Sequence, residues 1–94
     1  MRKVNKKDID DLYGAILQLE SLDECRRFFR DLLTKAEIEE ASERWKVARM
    51  LAGKISYRKI EVETGLSSRT ISRVARWLKR GKGGYSLMLR KDAR

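Results

Sequence analysis

The chain has 94 residues, of which 41% are hydrophobic and 39% are charged, and its formal net charge is +9. This length suits one domain with a modest core, and no apolar run is long enough for a membrane span or a signal peptide. There is no histidine and only one cysteine, so the residue types that usually bind metals or perform acid–base catalysis are scarce. We therefore expect no enzyme, no metal site and no membrane partner.

The charge is divided unevenly along the sequence. Residues 1–43 contain 8 basic and 11 acidic side chains, a net charge of −3, whereas residues 44–94 contain 15 basic and 3 acidic ones, a net charge of +12. A basic excess confined to one half is typical of a protein that binds a polyanion, because it attracts phosphates at long range. The second half is the predicted binding region, and a merely solvated basic surface is the alternative.

Three amphipathic helices are predicted in the first half, each starting after a residue that can cap it. Asn5, Ser21 and Thr34 are each followed three residues later by a carboxylate, a pattern that satisfies free backbone N–H groups at a helix start. Apolar residues at helical spacing then follow: Ile9, Leu12, Tyr13, Ile16 and Leu19; Leu22, Cys25, Phe28, Phe29, Leu32 and Leu33; Ile38, Ala41, Trp45, Ala48 and Leu51. Gly53 is expected to end the third helix.

Residues 56–79 have the pattern of a helix-turn-helix. Gly65 and Leu66 form the predicted turn, where a steep change of direction favours a residue with positive φ. Ser67 and Ser68 offer oxygens that can open the second helix. The apolar seam between the two helices is expected to contain Ile60, Thr64, Ile71, Val74 and Leu78.

The end of the chain completes an all-α fold of five to six helices. Residues 79–84 contain three glycines and predict a break, and residues 85–90 predict a short last helix or tail. No strand pattern, repeat or linker is visible. We therefore expect one domain spanning residues 1–94.

The polar face of the second motif helix is the predicted DNA-reading surface. Ser68, Arg69 and Thr70 lie in its first turn, the part that enters the major groove, where Arg69 can bind guanine or clamp a phosphate. Arg73 and Arg76 lie deeper in the helix and favour phosphate contacts. The full predicted DNA-binding set is Lys54, Ser56, Tyr57, Arg58, Lys59, Ser68, Arg69, Thr70, Ser72, Arg73, Arg76 and Lys79.

Three other conspicuous side chains are assigned to packing. Cys25 lies on an apolar helical stripe, which favours a reduced core thiol over a nucleophile or metal ligand. Trp45 and Trp77 also lie on apolar stripes, and this position favours core or dimer packing over stacking on bases.

The sequence resembles the Trp repressor superfamily, and specifically its YerC/YecD-like branch. The resemblance covers most of the chain and rests on Arg44-Trp45, Gly53, Ser56, Arg58, Gly65, Thr70-Ile71-Ser72-Arg73 and Gly83-Gly84-Tyr85. It implies an all-helical, intertwined homodimer, a bacterial repressor in which a shared core presents two reading heads to double-stranded DNA. By this resemblance, the positions that approach DNA are Arg58, Ser68, Arg69, Thr70, Ser72 and Arg73.

The resemblance also suggests a place for an effector, although this chain departs from the pattern there. In the Trp repressor an arginine of the third helix and a glycine of the recognition helix help to form the tryptophan slot. Arg44 matches the arginine, but Val74 replaces the glycine, and overpacking by a few methylenes costs about 1 to 3 kcal/mol. We therefore expect no cofactor and no corepression by tryptophan, with Arg44 pairing with Glu40 or Glu43 instead.

The sequence alone leaves other binding functions open. A basic helix also suits an RNA-binding or protein-interaction module, or an architectural DNA binder with little sequence preference. The main prediction is a cytoplasmic, nucleoid-associated regulator that binds a palindromic operator as a homodimer.

Overall fold

The computed structural model describes residues 3–92, so the first two and last two residues of the predicted domain lie outside the description. The six helices of this range are α1 (Lys6–Ile16), α2 (Leu22–Leu32), α3 (Lys35–Ala52), α4 (Tyr57–Thr64), α5 (Ser68–Arg80) and α6 (Gly84–Asp92). No strand occurs between residues 3 and 92. The predicted all-α fold class is confirmed.

Side-chain capping begins the first two helices as the sequence indicates. The Lys7 N–H donates to Asn5 Oδ1 (2.8 Å), and the Glu24 N–H donates to Ser21 Oγ (3.1 Å). Each bond satisfies a backbone donor that lacks a partner in the first turn of its helix. Local side-chain chemistry therefore fixes where α1 and α2 start.

The first helix is shorter than its apolar stripe predicts. It ends at Ile16, and Leu19 lies beyond it. Ser21 must adopt an extended backbone to cap α2, with φ −148° and ψ 162°, and the Glu20 N–H donates to Glu24 Oε1 (2.9 Å). Glu20 and Ser21 therefore take part in the start of α2 and do not extend α1.

A Schellman motif ends α3 and turns the chain toward α4. The Ile55 N–H donates to the Met50 carbonyl (3.1 Å) and the Lys54 N–H donates to the Leu51 carbonyl (3.0 Å), which is the bonding pattern of this C-cap. The residue in the left-handed region is Lys54, at φ 65°, and not Gly53, which precedes it. The helix therefore stops where predicted, with a lysine in the position that glycine usually occupies.

The chain divides into two compact units, Met1–Lys35 and Ala36–Arg94. The buried residues belong to the second unit: Val47, Ala48, Met50, Ile60, Ile71, Val74 and Ala75. The predicted seam residues Ile60, Ile71 and Val74 are among them, whereas Thr64 and Leu78 are half-buried. The helix-turn-helix is thus built directly on the core of its unit.

In the first unit, α1 and α2 have no fully buried residue. The assignment of Cys25 to a core is therefore corrected: its side chain is half-buried, because the apolar stripe of α2 is only partly covered within the chain. Phe28 and Phe29 make an edge-to-face contact, with ring centroids 5.6 Å apart. A single domain over residues 1–94 stays a prediction.

The predicted break before the last helix is shorter than residues 79–84. Lys79 and Arg80 still belong to α5, whose C-cap is Gly81, and α6 already begins at Gly84. Arg49 of α3 and Asp92 of α6 lie 3.9 Å apart. Among the described residues, no helix is long and apolar enough to cross a membrane.

Candidate nucleic-acid interface

The turn between α4 and α5 has the geometry that a helix-turn-helix requires. Gly65 adopts φ 72° and its N–H donates to the Glu61 carbonyl. The Thr64 hydroxyl donates to the Ile60 carbonyl (2.6 Å) and accepts from the Leu66 N–H (3.2 Å). These bonds satisfy backbone groups that the steep turn leaves free, and they fix the direction in which α5 leaves α4.

Serine caps begin both motif helices. Ser56 Oγ accepts from the Lys59 N–H (3.2 Å), and Ser67 Oγ accepts from the Thr70 N–H (3.2 Å). Thr70 is half-buried, and its hydroxyl lies 3.1 Å from that of Ser67. The Thr70 hydroxyl therefore supports the start of α5, which leaves its methyl group for any contact with a base.

The two sides of α5 differ sharply in chemistry. Ile71, Val74 and Ala75 are buried on one side. The exposed residues predicted to meet DNA are Ser68, Arg69, Ser72, Arg73, Arg76 and Lys79. The same helix thus anchors itself in the core and presents a continuous basic and hydroxyl-bearing face.

An open cleft of about 400 Å³ runs along this face. It is lined by Arg69, Ser72, Arg73, Arg76 and Trp77. None of the three arginines has an ion-pair or hydrogen-bonding partner among residues 3–92. Because no carboxylate lines the cleft, its positive charge is available to an external anion.

The approach to α4 adds further cations. Lys54 lies two residues before the motif, and Tyr57, Arg58 and Lys59 form the first turn of α4 after the Ser56 cap. All five side chains are exposed. Their position at a helix N-terminus favours a phosphate oxygen, since free N–H groups point the same way.

The two predicted effector residues do meet at one cavity. Arg44 and Val74 line a space of about 500 Å³ between α3, α5 and α6, together with Trp45, Arg73, Trp77, Lys82, Gly84, Tyr85 and Met88. Trp45 stacks on Tyr85, with centroids 6.4 Å apart and planes inclined by 12°. The lining therefore combines aromatic rings with three cations, which are Arg44, Arg73 and Lys82.

Two packing assignments near this cavity need correction. Arg44 makes no ion pair with Glu40 or Glu43 within the described range, because its half-buried side chain lies at the cavity instead. Trp77 is 49% exposed within the chain, so its predicted position in the core is wrong, while its packing in a dimer stays a prediction. Its ring lies against the backbone of Gly81, whereas Trp45 does pack against the core.

Sequence reasoning missed two cations that lie close to these surfaces. Arg80 and Lys82 were assigned to the glycine-rich break, yet Arg80 belongs to the last turn of α5 and Lys82 lines the cavity. The available signal was the recurrence of arginine at spacings of three and four through positions 69, 73, 76 and 80. No metal-binding cluster occurs among the residues that the structure describes.

Comparisons with known proteins agree with this geometry. The family model described as Trp repressor protein matches residues 7–93. The uncharacterised protein YerC of Bacillus subtilis (strain 168) is 48% identical over 87 residues, which cover 93% of this chain and 84% of YerC.

Solved structures give the same result. A TrpR-like protein from Eubacterium eligens superimposes with a TM-score of 0.90 at 39% identity, covering 95% of this chain and 92% of its own. A Trp-repressor-type structure from Staphylococcus aureus has a TM-score of 0.89 at 42% identity, with coverage of 95% and 89%. The chain therefore belongs to the Trp repressor family, in the YerC-like branch, and this family consists of DNA-binding regulators rather than enzymes.

Proposed function

We propose that this protein is a sequence-specific transcriptional repressor that binds a palindromic operator as a homodimer. The proposal rests mainly on the exposed face of α5. Its arginines have no ion-pair or hydrogen-bonding partner within residues 3–92, and the opposite side of the helix is buried. Unpaired arginine side chains next to hydroxyl groups can donate hydrogen bonds both to base edges and to phosphates.

The division of roles follows from position along the motif. Ser68, Arg69 and Thr70 lie at the start of α5 and are assigned to base contacts. Phosphate contacts are assigned to the more distant cations and helix starts, which are Lys54, Ser56, Tyr57, Arg58, Lys59, Ser72, Arg73, Arg76 and Lys79. Phosphate contacts fix the register on the duplex, and base contacts select the sequence.

Selection of bound fragments from a random duplex pool tests this proposal. A sequence-specific dimer should enrich one motif with two symmetric half-sites about one helical turn apart. Enrichment of no motif, despite binding, would identify an architectural binder instead. Equal or tighter binding of duplex RNA of the same length would favour the RNA-binding alternative, because A-form RNA closes its major groove to a helix.

Arg58→Ala tests the assignment of α4 to the DNA backbone. Loss of one phosphate contact should weaken binding to all sequences and reduce the salt slope by about one unit. Arg26→Ala is the control, since Arg26 is an exposed cation of α2 in the acidic half. An unchanged slope for Arg58→Ala would show that α4 is wrongly placed on the DNA.

Tryptophan is not proposed as the corepressor. Val74, which is 1% exposed and belongs to the core cluster, stands where the Trp repressor has the glycine that helps to form the tryptophan slot. We expect L-tryptophan to leave operator affinity nearly unchanged. A tenfold tightening by fluorescence anisotropy would instead restore a corepressor mechanism.

A further inference from the structure

A second basic groove lies on the far side of α5 from the cavity. It has a volume of about 230 Å³ and is lined by Tyr57, Ser72, Ala75, Arg76, Lys79 and Arg80. Buried Ala75 provides an apolar wall, and Tyr57 contributes a ring that is 42% exposed. We call this space the α4–α5 groove, since it joins the start of α4 to the last turns of α5.

The chemistry of the α4–α5 groove is that of an anion site. Three cations and two hydroxyl groups line it, and no carboxylate does. None of these cations has an ion-pair partner within residues 3–92. By contrast, Lys7, Arg27 and Arg49 each lie within 4.0 Å of an aspartate carboxylate. Arginine forks and hydroxyl donors together match the oxygens of a phosphodiester.

The length of α5 places this groove beside the DNA backbone. Arg69 and Arg80 are separated by about 16 Å at a rise of about 1.5 Å per residue, which exceeds the roughly 12 Å width of the major groove. When the first turn of α5 lies in the major groove and the helix axis runs across the groove, its last turn therefore lies level with the flanking backbone. Ser72 and Arg76 line both the reading cleft and the α4–α5 groove, so the two surfaces are continuous.

We propose that the α4–α5 groove binds one phosphodiester of the DNA backbone in each protomer, and that Tyr57 and Arg80 contact the same phosphate. The inference rests on the proposed DNA-binding function and adds Arg80 to it. The groove would hold the DNA backbone at a fixed distance from Arg69. It would thereby position the first turn of α5 in the major groove without contacting any base.

Lys79 and Arg80 also stabilise the end of α5, and the experiment must distinguish this structural role from phosphate binding. Both lie in the last turn of α5, where a cation stabilises the helix dipole. That role alone predicts a lower melting temperature for Arg80→Gln and an unchanged salt dependence of DNA binding. Shared contact with a phosphate predicts a changed salt dependence and a coupling to Tyr57.

A double-mutant cycle with Tyr57→Phe and Arg80→Gln tests the proposal. Affinity for a random-sequence duplex is measured by fluorescence anisotropy over a series of potassium chloride concentrations. We expect Arg80→Gln to weaken binding roughly fivefold and to reduce the salt slope by about one unit. The double variant should bind no more weakly than Arg80→Gln alone, because residues sharing one ligand are not additive.

Two further variants make the result specific. Arg90→Gln removes the same charge from an exposed position on α6 and should change affinity and slope little. Arg80→Lys keeps the charge and should retain most of the slope. Melting temperatures of all variants establish that binding is measured on folded protein.

The outcomes distinguish this proposal from the general one. If Arg80→Gln behaves as Arg90→Gln does, or if the cycle is additive, the α4–α5 groove holds no phosphate. The proposed DNA-binding function would still stand if Arg58→Ala and Arg69→Ala have the effects predicted for them. If the wild-type protein fails to bind the duplex, the proposed function itself is wrong.

Discussion

Lys54 combines an unfavourable backbone conformation with a side chain that is proposed to contact a phosphate. Its φ of 65° places it in the left-handed region, which costs a residue other than glycine roughly 1 to 3 kcal/mol. Gly53, one residue earlier, does not take up this conformation. A lysine at the glycine position of a Schellman motif is consistent with selection of its ammonium group for phosphate.

Replacement of Lys54 by glycine should have opposite effects on the stability of the protein and on its affinity for DNA. Lys54→Gly should raise the free energy of unfolding by about 1 kcal/mol, since relief of the backbone cost exceeds the added entropy of the unfolded chain. The same change should weaken binding to all duplexes and lower the salt slope by about one unit. Urea denaturation and salt titration measure the two effects, and a stabilised variant with unchanged binding would remove Lys54 from the interface.

Arg69 is the residue on which specificity is expected to depend most. It is exposed in the first turn of α5 and has no partner within residues 3–92. Arg69→Ala should relax sequence preference at one base pair of each half-site, with a loss of roughly 1 to 3 kcal/mol if the contact is bidentate to guanine. Anisotropy with the selected operator and with single-base variants measures it. A uniform loss over all sequences would assign Arg69 to a phosphate.

Among the helices, two glycines are required for different reasons. Gly65 has positive φ, and a Cβ added there would meet nothing within 4 Å, so conformation alone favours glycine. Gly81 has an ordinary φ of −81°, but a Cβ there would collide with the Trp77 carbonyl and lie 2.9 Å from Trp77 Cε3. Crowding rather than conformation therefore selects glycine at the end of α5.

Alanine substitutions should reveal this difference. Gly65→Ala should lower stability by about 1 to 2 kcal/mol without moving Trp77. Gly81→Ala should displace the indole, which fluorescence reports as a shift of the emission maximum. Since both tryptophans emit, the comparison is made in a Trp45→Phe background. An emission spectrum shifted by Gly65→Ala but not by Gly81→Ala would contradict the two assignments.

The sequence predicted the features that depend on neighbours along the chain. Asn5, Ser21, Ser56 and Ser67 cap their helices through residues two or three positions away, and hydrophobic periodicity located the buried seam of the motif. The core position of Trp77 and the ion pair of Arg44 were wrongly predicted, because the surroundings of both residues depend on α6. This helix is distant from Arg44 in the sequence and only weakly indicated by it. The contacts to DNA stay predictions, since they depend on a partner molecule.

At the scale of the whole molecule, the two units differ in how completely they cover their apolar side chains. The second unit has a buried core, whereas α1 and α2 leave large apolar residues more than two-fifths exposed, namely Ile9, Tyr13, Leu22 and Leu32. If these side chains form one contiguous patch, they would suit a protein–protein contact. The strongly basic half carries the motif, whereas these exposed apolar residues of α1 and α2 lie in the half with a net charge of −3.

We therefore expect a homodimer held by apolar contacts of the first unit and independent of the charges that bind DNA. Light scattering at micromolar concentration should give twice the 11.0 kDa chain mass, and this mass should persist at salt concentrations that abolish DNA binding, because apolar burial is not screened by salt. Ile9→Glu should weaken the dimer, whereas Gln18→Glu adds the same charge at an exposed polar position and should not. A dimer that dissociates in salt, or a monomer under all conditions, would place the uncovered apolar residues outside any self-association surface and leave two-fold operator symmetry without a structural basis.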